Sequence, residues 1–114
     1  MNITTRTVDD VVVVDLVGRL DTETSGHASD ELVRIVESSS GKVVLNLETL
    51  DYVSSAGLRV ILLAAKLLEA SDGELKVCRP NGSVREVMTT SGFHSLLRIY
   101  DTERDARVAF ARDV

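Results

Sequence analysis

The stretch Leu50-Asp51-Tyr52-Val53-Ser54-Ser55-Ala56-Gly57-Leu58-Arg59 decides how this chain is read. It follows the run Lys42 to Leu47, which reads as a strand, and it opens the most apolar helical segment of the chain, Leu58 to Ala70. A strand, a short junction and an apolar helix are the unit from which α/β domains with largely parallel sheets are built. Two serines stand at that junction. A serine there can accept a hydrogen bond from a free N–H of the first helical turn, a cap worth roughly 1 kcal/mol. The position also suits a switch. A phosphoserine adds about −1.5 to −2 charge beside the positive end of the helix, which tolerates it, whereas a partner packed over the spot meets a strongly hydrated dianion. The local sequence permits both roles.

Outward from this stretch the chain falls into short alternating elements. Val11 to Val17 is a β-branched strand with Asp9-Asp10 as the turn before it, and Asn2 to Val8, a weaker strand, is its expected hairpin partner. Between Thr22 and Glu37, Ala28, Leu32, Ile35 and Val36 recur at helical spacing, with Asp30 and Arg34 as an i,i+4 pair on the outer face. Ser38-Ser39-Ser40-Gly41 is a loop, and Ser71-Asp72-Gly73 closes the apolar helix. Glu74 to Cys78 reads as a short strand and Pro80-Asn81-Gly82 as a turn. A helix over Ser83 to Thr90 carries Val84, Val87 and Met88 on one side and ends near Gly92. Leu96 to Ile99 is a short strand, and Asp101 or Thr102 opens a last helix to about Ala111. The expected order is β-β-α-β-α-β-α-β-α. That order is one α/β domain over residues 1–114, with a mostly parallel, mixed sheet of about five strands, about four helices and an antiparallel addition at the N-terminal end.

The composition is that of a folded domain, 44% hydrophobic and 27% charged. Two Tyr, two Phe and no Trp leave the core to aliphatic side chains. A formal charge of −5 argues against a nucleic-acid or anionic-membrane surface. The longest hydrophobic stretch, Val60 to Ala65, is too short to span a bilayer, and Met1 to Thr7 lacks the apolar run of a signal peptide. A cytoplasmic domain is expected.

Signs of catalysis are sparse. His27 and His94 lie far apart and in no metal-ligand spacing, and the single cysteine, Cys78, ends a strand where a buried inert thiol is expected. The glycines form no dinucleotide fingerprint or phosphate loop, and no carboxylate cluster suggests a metal. A serine hydrolase would need a base near Ser55. A receiver domain would need an acidic pocket, which the strand ending Asn46-Leu47-Glu48 does not recreate. No enzymatic activity, cofactor or metal is expected. The helix from Leu58 is more apolar than packing on a sheet requires. Leu58, Ile61, Leu62 and Ala65 form one stripe and Val60, Leu63, Ala64 and Leu67 the next. Either both stripes are buried within the domain or one flank waits for a partner.

Three segments carry a family resemblance. Gly18-Arg19-Leu20-Asp21, then Val43-Val44-Leu45-Asn46-Leu47, then Tyr52-Val53-Ser54-Ser55-Ala56-Gly57-Leu58-Arg59-Val60 resemble a bacterial STAS domain of the anti-sigma-factor antagonist group. Val84 to Leu97, with Ser91-Gly92-Phe93, fits that family's third helix and the turn after it. The resemblance covers almost the whole chain and implies partner switching. The unphosphorylated antagonist binds an anti-sigma factor that is itself a serine kinase of the GHKL type, freeing the sigma factor. The kinase phosphorylates one serine of the antagonist, the complex dissociates, and a serine phosphatase reverses the mark.

Matched to the family, the phosphoacceptor falls on Ser55 and a loop carboxylate near it on Asp21. Well-known members carry Asp immediately before the phosphoacceptor and Ser or Thr after it, where this chain has Ser54 and Ala56. Ser54 is therefore the alternative acceptor. The expected partner surface comprises Asp21, Thr22, Glu23 and Thr24, the loop Asp51, Tyr52, Ser54, Ser55 and Ala56, and Gly57, Leu58, Arg59 and Leu62 of the helix. The competing reading is a STAS-fold interaction subunit of a stress-sensing, secretion-control or lipid-transport assembly, in which the apolar helix is a permanent interface and the serines are only caps.

Overall fold

β1 (Asn2–Val8) and β2 (Val11–Leu20) form an antiparallel hairpin whose register runs unbroken from Asn2 opposite Val17 to Val8 opposite Val11. Asp9 closes it at φ 57°, a left-handed conformation that Asp tolerates better than most residues. The computed structural model describes residues 1–112. From β2 the sheet continues in parallel, with β3 (Lys42–Asn46) beside β2, β5 (Glu74–Cys78) beside β3 and β6 (Ile99–Tyr100) beside β5. The order along the sheet is β1-β2-β3-β5-β6.

β2 is long enough to serve two partners. Its first half pairs with β3, Val12 to Asp15 opposite Val43 to Asn46. At Gly18 the backbone takes φ 107°, a conformation open to glycine, and the pairing register shifts between Gly18 and Arg19. From Gly18 onward, across that irregularity, β2 pairs in parallel with β4 (Leu50–Val53), and Gly18 N–H donates to the Thr49 carbonyl. β4 is a sixth strand added to the expected order. Asp51 to Val53, read as part of a loop, is extended together with Leu50 because the end of β2 offers it a partner.

α1 (Ser25–Ser38), α2 (Ser55–Ala70) and α3 (Gly82–Thr90) cover one face of the sheet. Leu16, Leu20, Leu45 and Val77 of the strands meet Ala28 and Leu32 of α1, Ile61 and Leu68 of α2, and Val84 and Met88 of α3. α4 (Glu103–Arg112) covers the other face, where Ala106 and Phe110 pack on Val11, Val13, Val44 and Cys78. Beneath α4 the buried Lys76 sets its Nζ 3.0 Å from Glu74 Oε2 and 4.8 Å from the Phe110 ring centroid.

Several boundaries differ from the sequence reading. α1 starts at Ser25 because Asp21 to Thr24 form a turn of their own, and α2 starts at Ser55, three residues before Leu58. A short 3-10 turn occupies Phe93–Ser95, and the last strand is Ile99–Tyr100 rather than Leu96 to Ile99. Arg34 pairs with Glu31 at 2.9 Å, one turn back at i,i+3, in place of the expected partner Asp30. The apolarity of α2 is now explained for most of its length. Val60, Ile61, Ala64, Ala65 and Leu68 are all buried between the sheet and the neighbouring helices, leaving Leu63 and Leu67 exposed.

Candidate functional site

The end of β2, the end of β4 and the first turn of α2 converge at one corner of the domain. Parallel pairing sets Arg19 opposite Tyr52 and Leu20 opposite Val53, and the Ser54 N–H donates to the Leu20 carbonyl at 2.9 Å. The two segments singled out in the sequence, Gly18-Arg19-Leu20-Asp21 and Tyr52-Val53-Ser54-Ser55, are therefore neighbours.

The serines have different surroundings. Ser54 is the N-cap of α2, with extended backbone (φ −97°, ψ 175°), and its Oγ accepts from the Gly57 N–H at 3.2 Å. Its carbonyl accepts the first helical bond, from Leu58 N–H at 2.9 Å. Ser55 is the first residue of the helix and is exposed, and its hydroxyl makes no hydrogen bond among the described residues. Gly57 is buried where α2 crosses the sheet edge. A Cβ there would lie 2.6 Å from the Leu20 carbonyl oxygen and 2.8 Å from Leu20 Cγ, so the close crossing requires glycine.

Asp21 organises the facing turn. Its Oδ1 accepts from the N–H groups of Glu23 (3.0 Å) and Thr24 (3.2 Å), and the Thr24 hydroxyl donates to the Arg19 carbonyl at 2.8 Å. Partial burial pulls the Asp21 pKa upward, but the N–H groups of Thr24 and Glu23, the Thr24 hydroxyl and Arg19 outweigh it and hold the carboxyl below the usual carboxylate range. Arg19 Nε lies 3.5 Å from Asp21 Oδ2, and its guanidinium sits 4.3 Å from the Tyr52 ring centroid.

Beside Ser55 opens a groove of about 510 Å³ between α2 and α3. Tyr52, Val53, Leu58, Val84 and Val87 give it an apolar lining, and Ser55 stands on its rim with Glu86, the one charged residue in the lining. The shape offers a seat for an apolar side chain from another molecule.

Of the residues expected on the partner surface, Thr22, Glu23, Asp51, Tyr52, Ser55 and Arg59 are exposed. Asp21, Thr24, Ser54, Ala56 and Leu62 are half-buried. Gly57 and Leu58 are buried, and Leu58 reaches the surface only as an edge of the groove. Sequence reasoning missed the α3 side of the groove. The signal was present in Asn81, which caps α3 by accepting from Val84 N–H at 2.8 Å and donates to the Leu50 carbonyl at 3.0 Å, tying α3 to β4. His27, in the first turn of α1, and His94, in the turn after α3, are exposed, and no cluster of three or more metal-ligating side chains occurs among the described residues. Burial of Cys78 pushes its thiol up to about 12.

The model of the STAS domain matches residues 2–106. The chain belongs to the STAS domain family. A candidate anti-sigma factor antagonist of Bordetella bronchiseptica, BtrV, is 38% identical over 110 residues, covering 96% of this chain and 95% of that protein. The anti-sigma F factor antagonist of Paenibacillus polymyxa is 34% identical over 97 residues, covering 84% of this chain and 83% of that protein. The fold of this STAS domain matches the antagonist SpoIIAA in its unphosphorylated form with a TM-score of 0.79 at 23% identity, covering 99% of this chain and 98% of that one. Against the Bacillus SpoIIAA in its phosphorylated form the TM-score is 0.71 at 22% identity, covering 96% of this chain and 99% of that one. No described helix of this STAS domain is long and apolar enough to cross a membrane.

Proposed function

We propose that this STAS domain is an anti-sigma factor antagonist. Its unphosphorylated form captures an anti-sigma factor that is a GHKL-type serine kinase, freeing the sigma factor. That kinase phosphorylates Ser55 and ends the complex, and a serine phosphatase restores the binding form. The observation that carries this reading is the contrast between the serines: Ser54 is engaged as the cap of α2, while Ser55 is exposed, with an unengaged hydroxyl at the rim of an apolar groove. The names of the curated relatives support the antagonist role, and SpoIIAA exists in both phosphorylation states.

The switch follows from elementary electrostatics. A phosphate on the first residue of α2 sits at the positive end of a 16-residue helix and costs the fold little. For a partner whose apolar side chain enters the groove, the hydrated dianion at the rim must be desolvated without a counter-charge. Binding is lost while the structure is kept.

Phosphopeptide mapping of the protein recovered from its native cells, with and without phosphatase treatment, tests the acceptor. Trypsin releases Val43 to Arg59, which holds Thr49, Ser54 and Ser55, and fragment ions separate the three. A phosphatase-sensitive phosphate on Ser55 is expected. A phosphate on Ser54, or none under any growth condition, contradicts the assignment.

A further inference from the structure

The two ends of the sheet are finished differently. β6 is two residues long and bounded by Arg98 and Asp101, a short charged edge. β1 is seven residues long and pairs with β2 in unbroken register. Among the described residues no strand pairs with its other side. Such an edge presents a row of N–H and C=O groups that folded proteins guard with proline, lysine, a bulge or a covering element. β1, Asn-Ile-Thr-Thr-Arg-Thr-Val, has neither proline nor lysine, and its pairing contains no bulge. Five of its seven residues, Ile3, Thr4, Thr5, Thr7 and Val8, are β-branched, which favours extended pairing. Its one charged side chain does not guard the edge. Arg6 is drawn over the sheet face, with Nε 3.0 Å from Asp15 Oδ2 and Nη2 2.6 Å from Glu103 Oε1.

We propose that β1 is a self-association edge, to which a second copy of this chain adds its own β1 antiparallel about a two-fold axis at Thr5. Antiparallel pairing about a two-fold is self-complementary, because each copy gives and receives the same backbone groups. The register with full overlap sets Asn2 opposite Val8, Ile3 opposite Thr7, Thr4 opposite Arg6 and Thr5 opposite Thr5. No like charges meet in it. Each Arg6 faces a threonine of the other copy and keeps its own Asp15 and Glu103, while the Thr–Thr pair on the axis is a favourable cross-strand match. The product is one continuous sheet in which α4 of both copies lies on the same face. The seam leaves the Ser55 corner open, because β1 pairs with β2 only as far as Val17 whereas β4 pairs from Gly18 onward. This inference is independent of the proposed phosphoswitch.

Sedimentation equilibrium of the full chain tests it. A seam made chiefly of backbone hydrogen bonds is a small interface, so the mass is expected to rise from monomer toward dimer between about 10 μM and about 1 mM. Thr5 is exposed, so Thr5→Lys and Thr5→Glu leave the melting profile unchanged while placing like charges opposite each other on the axis. Each variant alone is expected to stay monomeric, and an equimolar mixture to dimerise at low salt. A wild-type chain that is monomeric throughout, variants that dimerise alone, or a mixture that stays monomeric each overturns the proposal.

Discussion

The Leu20 carbonyl oxygen occupies the space that a side chain on Gly57 would need: a Cβ there would lie only 2.6 Å away. This contact fixes how closely the first turn of α2 crosses the end of β2, and with it the placement of Ser54 and Ser55 beside the Asp21 turn. Glycine to alanine inside a helix ordinarily stabilises by about 1 kcal/mol. Here the clash is with backbone, which cannot rotate away. Gly57→Ala is expected to destabilise by about 1–3 kcal/mol in urea unfolding. A stabilised variant would refute the close crossing.

The paired serines give opposite expectations. Ser54→Ala removes the acceptor of the Gly57 N–H and is expected to cost about 1 kcal/mol, lowering the melting temperature by about 4 °C. Ser55→Ala is expected to stay within about 0.5 kcal/mol of wild type. Differential scanning calorimetry of both variants reads the difference, and equal losses would contradict the division of roles.

Cys78 is buried under α4 with its thiol pushed up to about 12, chiefly by desolvation. At pH 8 only about one thiol in ten thousand is ionised, and access is closed as well. A disulfide reagent is expected to leave the native chain unmodified at that pH and to titrate one thiol in urea. The unfolded thiol ionises near its ordinary value and the folded one well above it. This group's contribution to stability is therefore present at neutral pH and is lost as the pH climbs toward 12.

Glu103 links α4 to the hairpin. The Arg6 hydrogen bond holds its carboxyl below the usual range against partial burial, and the charges of Arg6 and Arg107 add to that. With the folded pKa depressed, the unfolded chain binds more protons in acid. The stabilisation is therefore present above about pH 4.3 and is lost as the pH falls through the folded value. Because Arg6 is partly exposed, solvent limits the effect to about 0.5–1 kcal/mol. Glu103→Gln is expected to lower stability at pH 7 by that amount and to flatten the acid limb of the melting-temperature profile. An unchanged acid limb would contradict this assignment.

Much of this architecture was legible from periodicity. Val11 to Val17 and Lys42 to Leu47 are β-branched and aliphatic runs, the helices repeat at their period, and Asp9-Asp10 marks the hairpin turn. β4 was not legible for a physical reason. In Leu50-Asp51-Tyr52-Val53 the ends are buried and the middle exposed, with no alternation to mark a strand. Its extended form depends on the end of β2, more than thirty residues away, with a register irregularity beside Gly18. The candidate site was legible as a serine pair at a helix start. Which serine caps the helix depends on where the first turn begins, and that placement is set by the Leu20 contacts of Ser54 and Gly57 rather than by local sequence. The groove stayed hidden because half of it comes from α3, brought alongside by the Asn81 to Leu50 hydrogen bond.

A phosphate on Ser55 is expected to govern partner binding without altering the fold. The most direct test is the affinity of the cognate anti-sigma kinase for the unmodified protein and for authentic Ser55-phosphorylated protein, measured side by side by calorimetry with circular dichroism on both forms. Matching spectra and melting profiles are expected together with binding weakened at least about tenfold, a difference of about 1.4 kcal/mol or more. Equal affinity for the two forms would contradict it.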